Sequence, residues 1–541
     1  MNLTDSTSRW WFVTIGGVSL LTLLSLALRP LFPVDETRYI AVAWEMWEQR
    51  EFFVPHLNGE PYSHKPPALF WLIHAGWSMF GVNQWWPRLI APLSLLFSLW
   101  SLARLGRALW PATDSIGRLG SLMFLATWFV APYQTMLMFD MPLLACISLG
   151  WLTMVVAVRS GRAWSWLGFG LSLGCALLLK GPVALVYALP PLLACKWWAP
   201  AEAPPLRVRW IALALALAVL VPVAWLAAAS LHGSREYMST LLIDQTMDRI
   251  SGEMGHPRPW YWYLPIMLLL PMPWALWWPA VRSAVREIPN LEDRGNRFAL
   301  SVLIPGLLVL SAAGGKQVHY LIPLLAVLML LISRGLHDPG ASTRRRHALL
   351  PALVMSPLIL PGLVGVLGIA VPQARPWLPV FPVWSLLALG LVAIGVLRSS
   401  RRDATTAAGH MAVASIAFCA IVAAVALPAI RPRYDLEAAG RYIGAQQAAG
   451  RPTAYLGNYQ GEFTFFGRLR APVTELKPAQ AADWAAQHPD GLIVSRTKRL
   501  LLRGSPTPEF RQAYKGDELL MFRAMNLSAT GSQFRNPPNQ D

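Results

Sequence analysis

The sequence predicts an α-helical polytopic membrane protein with about thirteen transmembrane helices, followed by a small α/β domain. Composition indicates the membrane part, since 55% of the 541 residues are hydrophobic and only 14% are charged. Apolar runs of about 20 residues, the length that crosses a bilayer, recur along the chain. After residue 430 these runs give way to short strands and amphipathic helices, which indicates a separate domain.

The first apolar run predicts a signal anchor, because it has no convincing small-residue cleavage site and more spans follow it. The stretch 67–82 is apolar but short, so we expect a helix that lies in the membrane interface or re-enters the bilayer. The predicted spans are 11–29, 87–106, 117–133, 140–158, 163–179, 182–196, 210–231, 261–281, 298–314, 319–334, 348–371, 379–397 and 410–429.

The distribution of positive charge predicts the orientation of these spans. With the N-terminus inside, Lys and Arg collect in the inside loops, and the short outside connections hold only Lys180, Lys316 and Arg375. A full span at 67–82 would invert every later loop, and the odd number of spans places the C-terminal domain outside. The net charge of +17 therefore predicts no nucleic-acid partner, because the basic residues are not gathered on one folded face.

We divide the chain into a membrane domain, 1–430, an outside α/β domain, 431–525, and a polar tail, 526–541, which we expect to be disordered. The two long outside loops, 30–86 and 232–260, are expected to form the active site. In the α/β domain the segments PTAYLGNYQGEFTFFG, DGLIVSRT and ELLMFRA predict strands, and DLEAAGRYIGAQQAAG and PAQAADWAAQH predict helices.

Chemically active side chains recur where apolar runs meet the outer surface, and the topology puts them at one membrane depth. Charged residues at span ends are often simple interface anchors, but Asp140 has apolar neighbours on both sides and is expected to face a polar cavity. The set comprises Asp35, Glu36, Arg38, Tyr62, His64, Lys65, Asp140, His256, Arg258, Lys316, His319 and Tyr320.

Two of these positions allow a more specific expectation. Asp35 and Glu36 are adjacent and cannot share a helix face, so one serves the chemistry while the other caps the helix or pairs with Arg38. Lys65 precedes a Pro pair that fixes the backbone, and its ammonium suits a phosphate. Together, carboxylates and cations beside the lipid favour sugar transfer from a polyprenyl-phosphate donor, with the cations stabilising the departing phosphate. The chain shows no nucleotide-binding loop, and this reaction needs none.

Two other classes of protein remain as alternatives. A flippase or transporter of lipid-linked sugars would place polar groups at a broken helix, and LLLKGPVALV around Lys180 fits that description, but the chain has no repeated halves. A membrane scaffold would have no reason to carry Asp140 or the His64–Lys65 pair.

DETRY after the first span, VPHLNGEPYSHKPPALFW, the Asp that heads the fourth span and KQVHYLIPLLA resemble the bacterial GT-C glycosyltransferases. The branch they resemble is protein-mannosyltransferase-like and contains the lipid A aminoarabinose transferases. The resemblance implies a GT-C fold in the bacterial inner membrane, a periplasmic C-terminal domain, an undecaprenyl-phosphate sugar as donor and inversion at the anomeric carbon. It implies lipid A or another envelope glycan as the acceptor, with a protein O-mannosyltransferase-like activity as the alternative.

The resemblance also implies roles for residues. Asp35 and Asp140 would be the catalytic carboxylates, with Asp35 serving as base or orienting the acceptor. Lys65, Arg258 and Tyr320 would hold the donor phosphate, and the remaining cavity residues would be Glu36, Arg38, Tyr62, Lys316 and His319.

One departure from the family concerns a metal. Aminoarabinose transferases usually have Glu-Lys-Pro where this chain has His64-Lys65-Pro66. In that family the acidic position and a His of the second long loop can hold a divalent metal. Here the pair would be His64 and His256, which suits zinc, although two ligands make a weak site.

The identity of the acceptor decides what Asp35 must do. A lipid A phosphate would already be anionic near neutral pH, and Asp35 would then orient the acceptor or balance charge. A hydroxyl acceptor would require Asp35 to act as a true general base.

Overall fold

A computed structural model describes residues 6–232, 258–338, 359–371, 378–399, 402–497, 500–501, 507–528 and 533–534. The chain packs into two compact units, each assembled from separated stretches. The first unit comprises Met1–Ala27, Ser63–Leu69 and Asn83–Ala426, and the second comprises Leu28–Tyr62, Phe70–Val82 and Leu427–Asp541.

Helices dominate the part of the chain that the structure describes, where four short 3₁₀ segments (Trp260–Trp262, Trp274–Leu276, Val318–Leu321 and Pro478–Gln480) accompany them. The helices are α1 (Thr7–Leu28), α2 (Asp35–Gln49), α3 (Ala68–Phe80), α4 (Trp85–Leu109), α5 (Ser115–Leu125), α6 (Val130–Tyr133), α7 (Asp140–Ser160), α8 (Ala163–Lys180), α9 (Val183–Leu193), α10 (Cys195–Trp198), α11 (Val208–His232), α12 (Tyr263–Leu269), α13 (Trp278–Glu287), α14 (Arg294–Ala312), α15 (Ile322–Leu336), α16 (Ile359–Ala370), α17 (Val383–Ser399), α18 (Ala404–Tyr434), α19 (Glu437–Ala448), α20 (Thr464–Gly467), α21 (Ala481–Gln487) and α22 (Ala524–Ser528).

Within the described residues, eight helical stretches are long and apolar enough to cross a membrane. They coincide with eight of the predicted spans. The stretches are Thr7–Leu28, Trp85–Leu109, Asp140–Ser160, Ala163–Lys180, Val208–His232, Arg294–Ala312, Val318–Leu336 and Ala404–Ala448. The apolar helix α3 is short, as expected for 67–82. Part of the predicted span 348–371 lies outside the described residues.

Three predicted spans are not continuous helices in the described residues, and one of them, 182–196, is divided into α9 and α10 at Ala194. In place of 261–281 the structure has α12, then a turn, and α13 begins only at Trp278. Pro271 and Pro273 end the first of these helices, because proline has no backbone N–H to continue the hydrogen-bonded ladder. The predicted span 117–133 likewise stops at Leu125. A hydrogen bond joins the breaks in 117–133 and 261–281, because the amide N–H of Trp128 donates to the carbonyl of Met272 over 2.9 Å.

Small residues allow the helices of the first unit to pack closely. A Cβ atom placed on Gly106 of α4 would collide with the backbone of Gly117 in α5, and one on Gly170 of α8 would collide with Ala214 of α11. Backbones that approach so closely are typical of helix contacts in membranes. There the lipid provides no hydrophobic driving force between helices, and small residues allow close van der Waals packing instead. These contacts fix the helices that carry the polar residues described below.

The described strands of the second unit are β1 (His56–Leu57), β2 (Glu60–Pro61), β3 (Thr453–Leu456), β4 (Thr474–Leu476), β5 (Leu492–Arg496), β6 (Leu500–Leu501), β7 (Phe510–Tyr514), β8 (Asp517–Arg523) and β9 (Gln533–Phe534). Five of them form a sheet in the order β4-β3-β5-β8-β7. β3 pairs in parallel with β4 and β5, whereas β8 is antiparallel to β5 and β7. The predicted helices at 435–450 and 478–488 are present, but the first predicted strand segment holds only β3 and then turns into α20. Most of the predicted tail, 526–541, lies outside the described residues.

Much of the first long loop, which the sequence predicts as part of the membrane domain at 30–86, belongs to this second unit. The indole N–H of Trp44 in α2 donates to the carbonyl of Leu469 over 2.9 Å. Asn58 exchanges two hydrogen bonds with the backbone of Val473, at 2.7 and 2.9 Å. The ring of Trp77 in α3 stacks on Phe465 with centroids 5.7 Å apart. The C-terminal sheet therefore folds together with α2, the β1–β2 hairpin and most of α3.

Candidate active site

A buried ion pair joins the start of α7 to the end of α8. The Lys180 ammonium donates to Oδ1 of Asp140 over 2.6 Å, and the two side chains are 4% and 5% exposed. The two helices form an antiparallel hairpin, so the first residue of one lies beside the last residue of the other. Each charge also suits its helix end, because a carboxylate stabilises an N-terminus and an ammonium stabilises a C-terminus.

His319 and Tyr320, in the 3₁₀ turn before α15, complete this group. Nε2 of His319 lies 4.0 Å from Oδ1 of Asp140. The Lys180 ammonium lies 4.4 Å from the centre of the Tyr320 ring. The backbone of Tyr320 is fixed by Tyr187, whose hydroxyl donates to its carbonyl over 2.7 Å.

Lys65 belongs to the same group. Its ammonium lies 5.9 Å from the ring of Phe139, the residue that precedes Asp140, and its charge acts on both Asp140 and His319. We call Lys65, Asp140, Lys180, His319 and Tyr320 the Asp140 cluster. Two cations and an imidazole surrounding one carboxylate leave excess positive charge, an arrangement that can stabilise a phosphate.

Arg258 and Lys316 are tied to each other through the backbone. The Lys316 ammonium is buried and donates to the carbonyls of Ala313 and Arg258, the latter over 3.1 Å. Burial lowers the pKa of Lys316. The Arg258 side chain is exposed, with its guanidinium 5.7 Å from the ring of Trp262. Lys316 therefore fastens the end of the second long loop, while the Arg258 side chain points outward.

The acidic pair of α2 divides into two environments within the second unit. Glu36 is buried, forms an ion pair with Arg29 and accepts the amide N–H of Phe32 over 2.7 Å. The side chain of Asp35 is 55% exposed and lies 3.9 Å from Nη1 of Arg38. The expectation that the two carboxylates have different roles is consistent with this geometry. Glu36 holds the start of the helix, and Asp35 is accessible.

Arg38 lies between Asp35 and the buried Tyr62. Burial alone would lower the pKa of Arg38, but Tyr62 and Asp35 outweigh it and raise the pKa. The Arg38 guanidinium therefore stays charged although it is partly buried.

The candidate metal site is only partly within the described residues. His64 is exposed in the segment before α3, and His256 lies outside the described residues. In the part of the chain that the structure describes, no three His, Cys, Asp or Glu side chains converge. Zinc at His64 and His256 therefore stays a prediction.

Lys180 is the residue that sequence reasoning missed as a site residue. The sequence predicts that Asp140 faces a polar cavity, and its order of spans also allows the partner, Lys180, to be identified. Two successive spans joined by a short loop, 161–162, place position 180 opposite position 140. The signal was a hairpin of two helices of similar length, 21 and 18 residues.

Comparison with known proteins agrees with this architecture. A family model described as dolichyl-phosphate-mannose-protein mannosyltransferase matches residues 64–227, the stretch that contains Lys65, Asp140 and Lys180. The crystal structure of ArnT from Cupriavidus metallidurans bound to undecaprenyl phosphate superposes with a TM-score of 0.72 at 16% identity, covering 95% of this chain and 98% of that one. The class that the architecture defines is therefore the GT-C fold, as the resemblance predicted.

Within that class the chain is similar to the aminoarabinose transferases. It is 26% identical over 498 residues to undecaprenyl phosphate-alpha-4-amino-4-deoxy-L-arabinose arabinosyl transferase 2 of Pseudomonas fluorescens strain Pf0-1, covering 89% of this chain and 84% of the relative. It is 27% identical over 384 residues to transferase 1 of P. fluorescens strain ATCC BAA-477, covering 68% and 67%.

Proposed function

We propose that this chain is a glycosyltransferase of the bacterial inner membrane that transfers a sugar from an undecaprenyl-phosphate donor to lipid A or another envelope glycan. The relatives named above and the ArnT structure support the enzyme class, the multi-pass membrane location and the donor. The observation that carries the proposal is the Asp140 cluster, since a buried Asp140–Lys180 ion pair with a second ammonium and an imidazole near it is costly in a membrane protein without a function.

In this proposal the cations do the work of leaving-group stabilisation. Lys65 and Tyr320 contact the donor phosphate, and Asp140 holds Lys180 and His319 in place behind them. The exposed guanidinium of Arg258 supplies a further positive charge for the phosphate. As the bond from the anomeric carbon to the phosphate oxygen breaks, these groups stabilise the negative charge that stays on the phosphate.

Asp35 acts on the acceptor. The acceptor oxygen attacks the anomeric carbon from the face opposite the phosphate, which inverts that centre. With a hydroxyl acceptor, Asp35 accepts its proton, and with a phosphate acceptor it orients a nucleophile that is already anionic. We place this chemistry on the periplasmic side, with the N-terminus in the cytoplasm and the α/β domain in the periplasm, because that orientation puts the positive loops inside.

Mass spectrometry of lipid A and polyprenyl lipids tests the proposal. A deletion strain is compared with strains that carry the wild type, Asp35→Asn, or Asp490→Asn as a matched control at an exposed carboxylate of the second unit. We expect a lipid A sugar to disappear on deletion and to return with the wild type and the control, but not with Asp35→Asn.

Other outcomes would revise the proposal. Accumulation of a polyprenyl-phosphate sugar with unchanged lipid A would replace lipid A by another glycan or by protein as the acceptor. A purified chain that moves the intact lipid-linked sugar across a vesicle membrane without transferring it would show a flippase instead.

A further inference from the structure

Two charged residues of the C-terminal sheet region reach the start of α2. Glu462 is 5% exposed and lies in the loop between β3 and α20. Lys515 is half-buried and lies in the turn between β7 and β8. Neither belongs to the set of residues that the family resemblance implies, and both belong to the same compact unit as Asp35 and Arg38.

The loop that carries Glu462 is held firmly against α2. Gly461 has φ +77°, and a Cβ atom there would lie 2.8 Å from Cβ of Ala41 and 3.8 Å from Cα of Arg38. The Tyr459 hydroxyl accepts the amide N–H of Phe463 over 3.1 Å, which closes the loop on itself. The Glu462 carboxylate accepts the amide N–H of Gln460 over 2.8 Å. Its position beside Arg38 is thus set by the backbone.

Lys515 is placed by an unfavourable turn conformation. Lys515 and Gly516 have φ values of 51° and 82° between the paired residues Tyr514 and Asp517, which defines a two-residue hairpin turn of type I′. Asn, Asp or Gly is preferred at the first of these positions, so a Lys there suggests a function that outweighs the strain. The amide of Lys515 donates to the carbonyl of Arg433 over 3.0 Å and holds the turn in place.

The four charges alternate in sign. Asp35 lies 3.9 Å from Arg38, and Arg38 and Lys515 both act on Glu462. Glu462 and Asp35 in turn act on Lys515, as do the like charges of Arg496 and Arg38. Within the described residues, no carboxylate lies within ion-pair distance of Lys515. The cluster runs from the buried Glu462 to the exposed Asp35, so it connects the domain interior to the group that meets the acceptor.

We infer that Glu462 and Lys515 are positioning residues, which hold Arg38 and Asp35 in the arrangement that receives the acceptor. The inference rests on the proposed function, and it gives the C-terminal sheet region a role in placing Asp35. Glu462 balances the two cations, and Lys515 attracts the Asp35 carboxylate.

The first test measures the charge coupling without any reaction. The lysines are labelled by reductive ¹³C-methylation, and the Lys515 signal is assigned by its loss in Lys515→Arg. Replacing a nearby carboxylate removes a charge that favours the ammonium, so Glu462→Gln and Asp35→Asn should each lower the pKa of Lys515. Asp490→Asn should leave it unchanged. A Lys515 pKa that is the same in all four proteins would overturn the inference.

The second test measures turnover with an undecaprenyl-phosphate sugar as donor and purified lipid A as acceptor. Lys515→Asn removes the charge but keeps a residue that accepts the left-handed turn, and Lys515→Arg keeps the charge. We expect Lys515→Asn and Glu462→Gln to lower kcat by about 10- to 100-fold with an unchanged KM for the donor, since small displacements of reacting groups cost this much. Lys515→Arg should retain most of the turnover.

The remaining outcomes would contradict the inference or the proposed function. Wild-type turnover in Lys515→Asn and Glu462→Gln would overturn the inference. A loss of turnover that Lys515→Arg shares, and that accompanies a lower midpoint of thermal denaturation, would also overturn the inference, because it would show a structural role only. A wild-type protein that transfers no sugar would refute the proposed function, while the titration would still decide whether the four charges are coupled.

Discussion

The ammonium of Lys180 and the carboxylate of Asp140 form a direct ion pair, 2.6 Å apart, that is almost completely removed from solvent. Neutralising one partner leaves the other charge buried and uncompensated, which typically costs about 3–5 kcal/mol. We expect Lys180→Met to lower the midpoint of thermal denaturation in detergent strongly. The double variant Asp140→Asn, Lys180→Met should recover most of that loss but remain inactive. A double variant no more stable than Lys180→Met would contradict the pairing.

Lys65 and Lys316 offer a contrast between two lysines near the same site. Lys316 donates to two backbone carbonyls, whereas Lys65 belongs to the Asp140 cluster and its charge acts on Asp140. Lys65→Ala should weaken binding of undecaprenyl phosphate about 10-fold or more, the loss of one charge-assisted contact of about 1.5–3 kcal/mol. Lys316→Ala should mainly lower thermal stability. Binding measured by isothermal calorimetry separates the two, and equal losses of affinity would mean that the phosphate site has been misplaced.

Asp35 and Glu36 are expected to respond oppositely to neutralisation. Asp35→Asn should abolish transfer while expression and donor binding remain near wild type. The Asp35 side chain is exposed, and its ion-pair contact with Arg38 is long at 3.9 Å, so loss of its charge should cost little stability. Glu36→Gln should instead reduce the yield of folded protein, since it leaves the buried Arg29 without its ion-pair partner. Expression, denaturation midpoint and transfer by both variants provide the check. Near-wild-type turnover of Asp35→Asn would remove Asp35 from the mechanism.

Glu45 gives the second unit a defined pH dependence. Its carboxylate accepts the amide N–H groups of Asn58 and Gly59, at 2.7 and 3.0 Å. Burial nevertheless raises the pKa of Glu45 above its ordinary value of 4.5, despite the lowering effect of those two hydrogen bonds. A carboxyl group with a raised pKa contributes stability that is full below its ordinary pKa and is lost as pH rises through the folded value.

The variant Glu45→Gln cannot ionise and should escape that loss. As pH rises from about 4 to about 7, its denaturation midpoint should therefore improve relative to the wild type. The matched control is Glu48→Gln on the same helix, which removes an ion pair with the largely exposed Arg470 at 2.9 Å. A trend in the opposite direction for Glu45→Gln would show that the hydrogen bonds, and not burial, determine the direction in which the pKa of Glu45 is shifted.

The fold could be predicted from the sequence wherever a single local property determines it. Hydrophobic length alone identifies the eight long helices, and the lone Asp140 in an apolar run indicates its polar surroundings. The breaks at Pro271 and Pro273 were missed because membrane helices often tolerate proline, and only the partner loop at Trp128 shows that the helix ends there.

The composition of the second unit was beyond sequence reasoning for a different reason. The hydrogen bond from Trp44 to Leu469 joins residues 425 positions apart, and no local pattern reports such a contact. The same holds for Glu462 and Lys515, because no local pattern reports that they approach α2. Asp35, by contrast, is a candidate from the sequence alone because it stands in a motif at the end of an apolar run.

The second unit is built from both ends of the chain, and this has a consequence for biosynthesis. The stretches Leu28–Tyr62 and Phe70–Val82 leave the ribosome before most of the membrane helices, but the strands against which they pack are translated after Ala426. The Trp44 and Trp77 side chains therefore lack their partners, Leu469 and Phe465, while the intervening helices are inserted. Assembly around Asp35 is completed only after those strands are made, so a chain truncated before them would carry the motif without its surroundings.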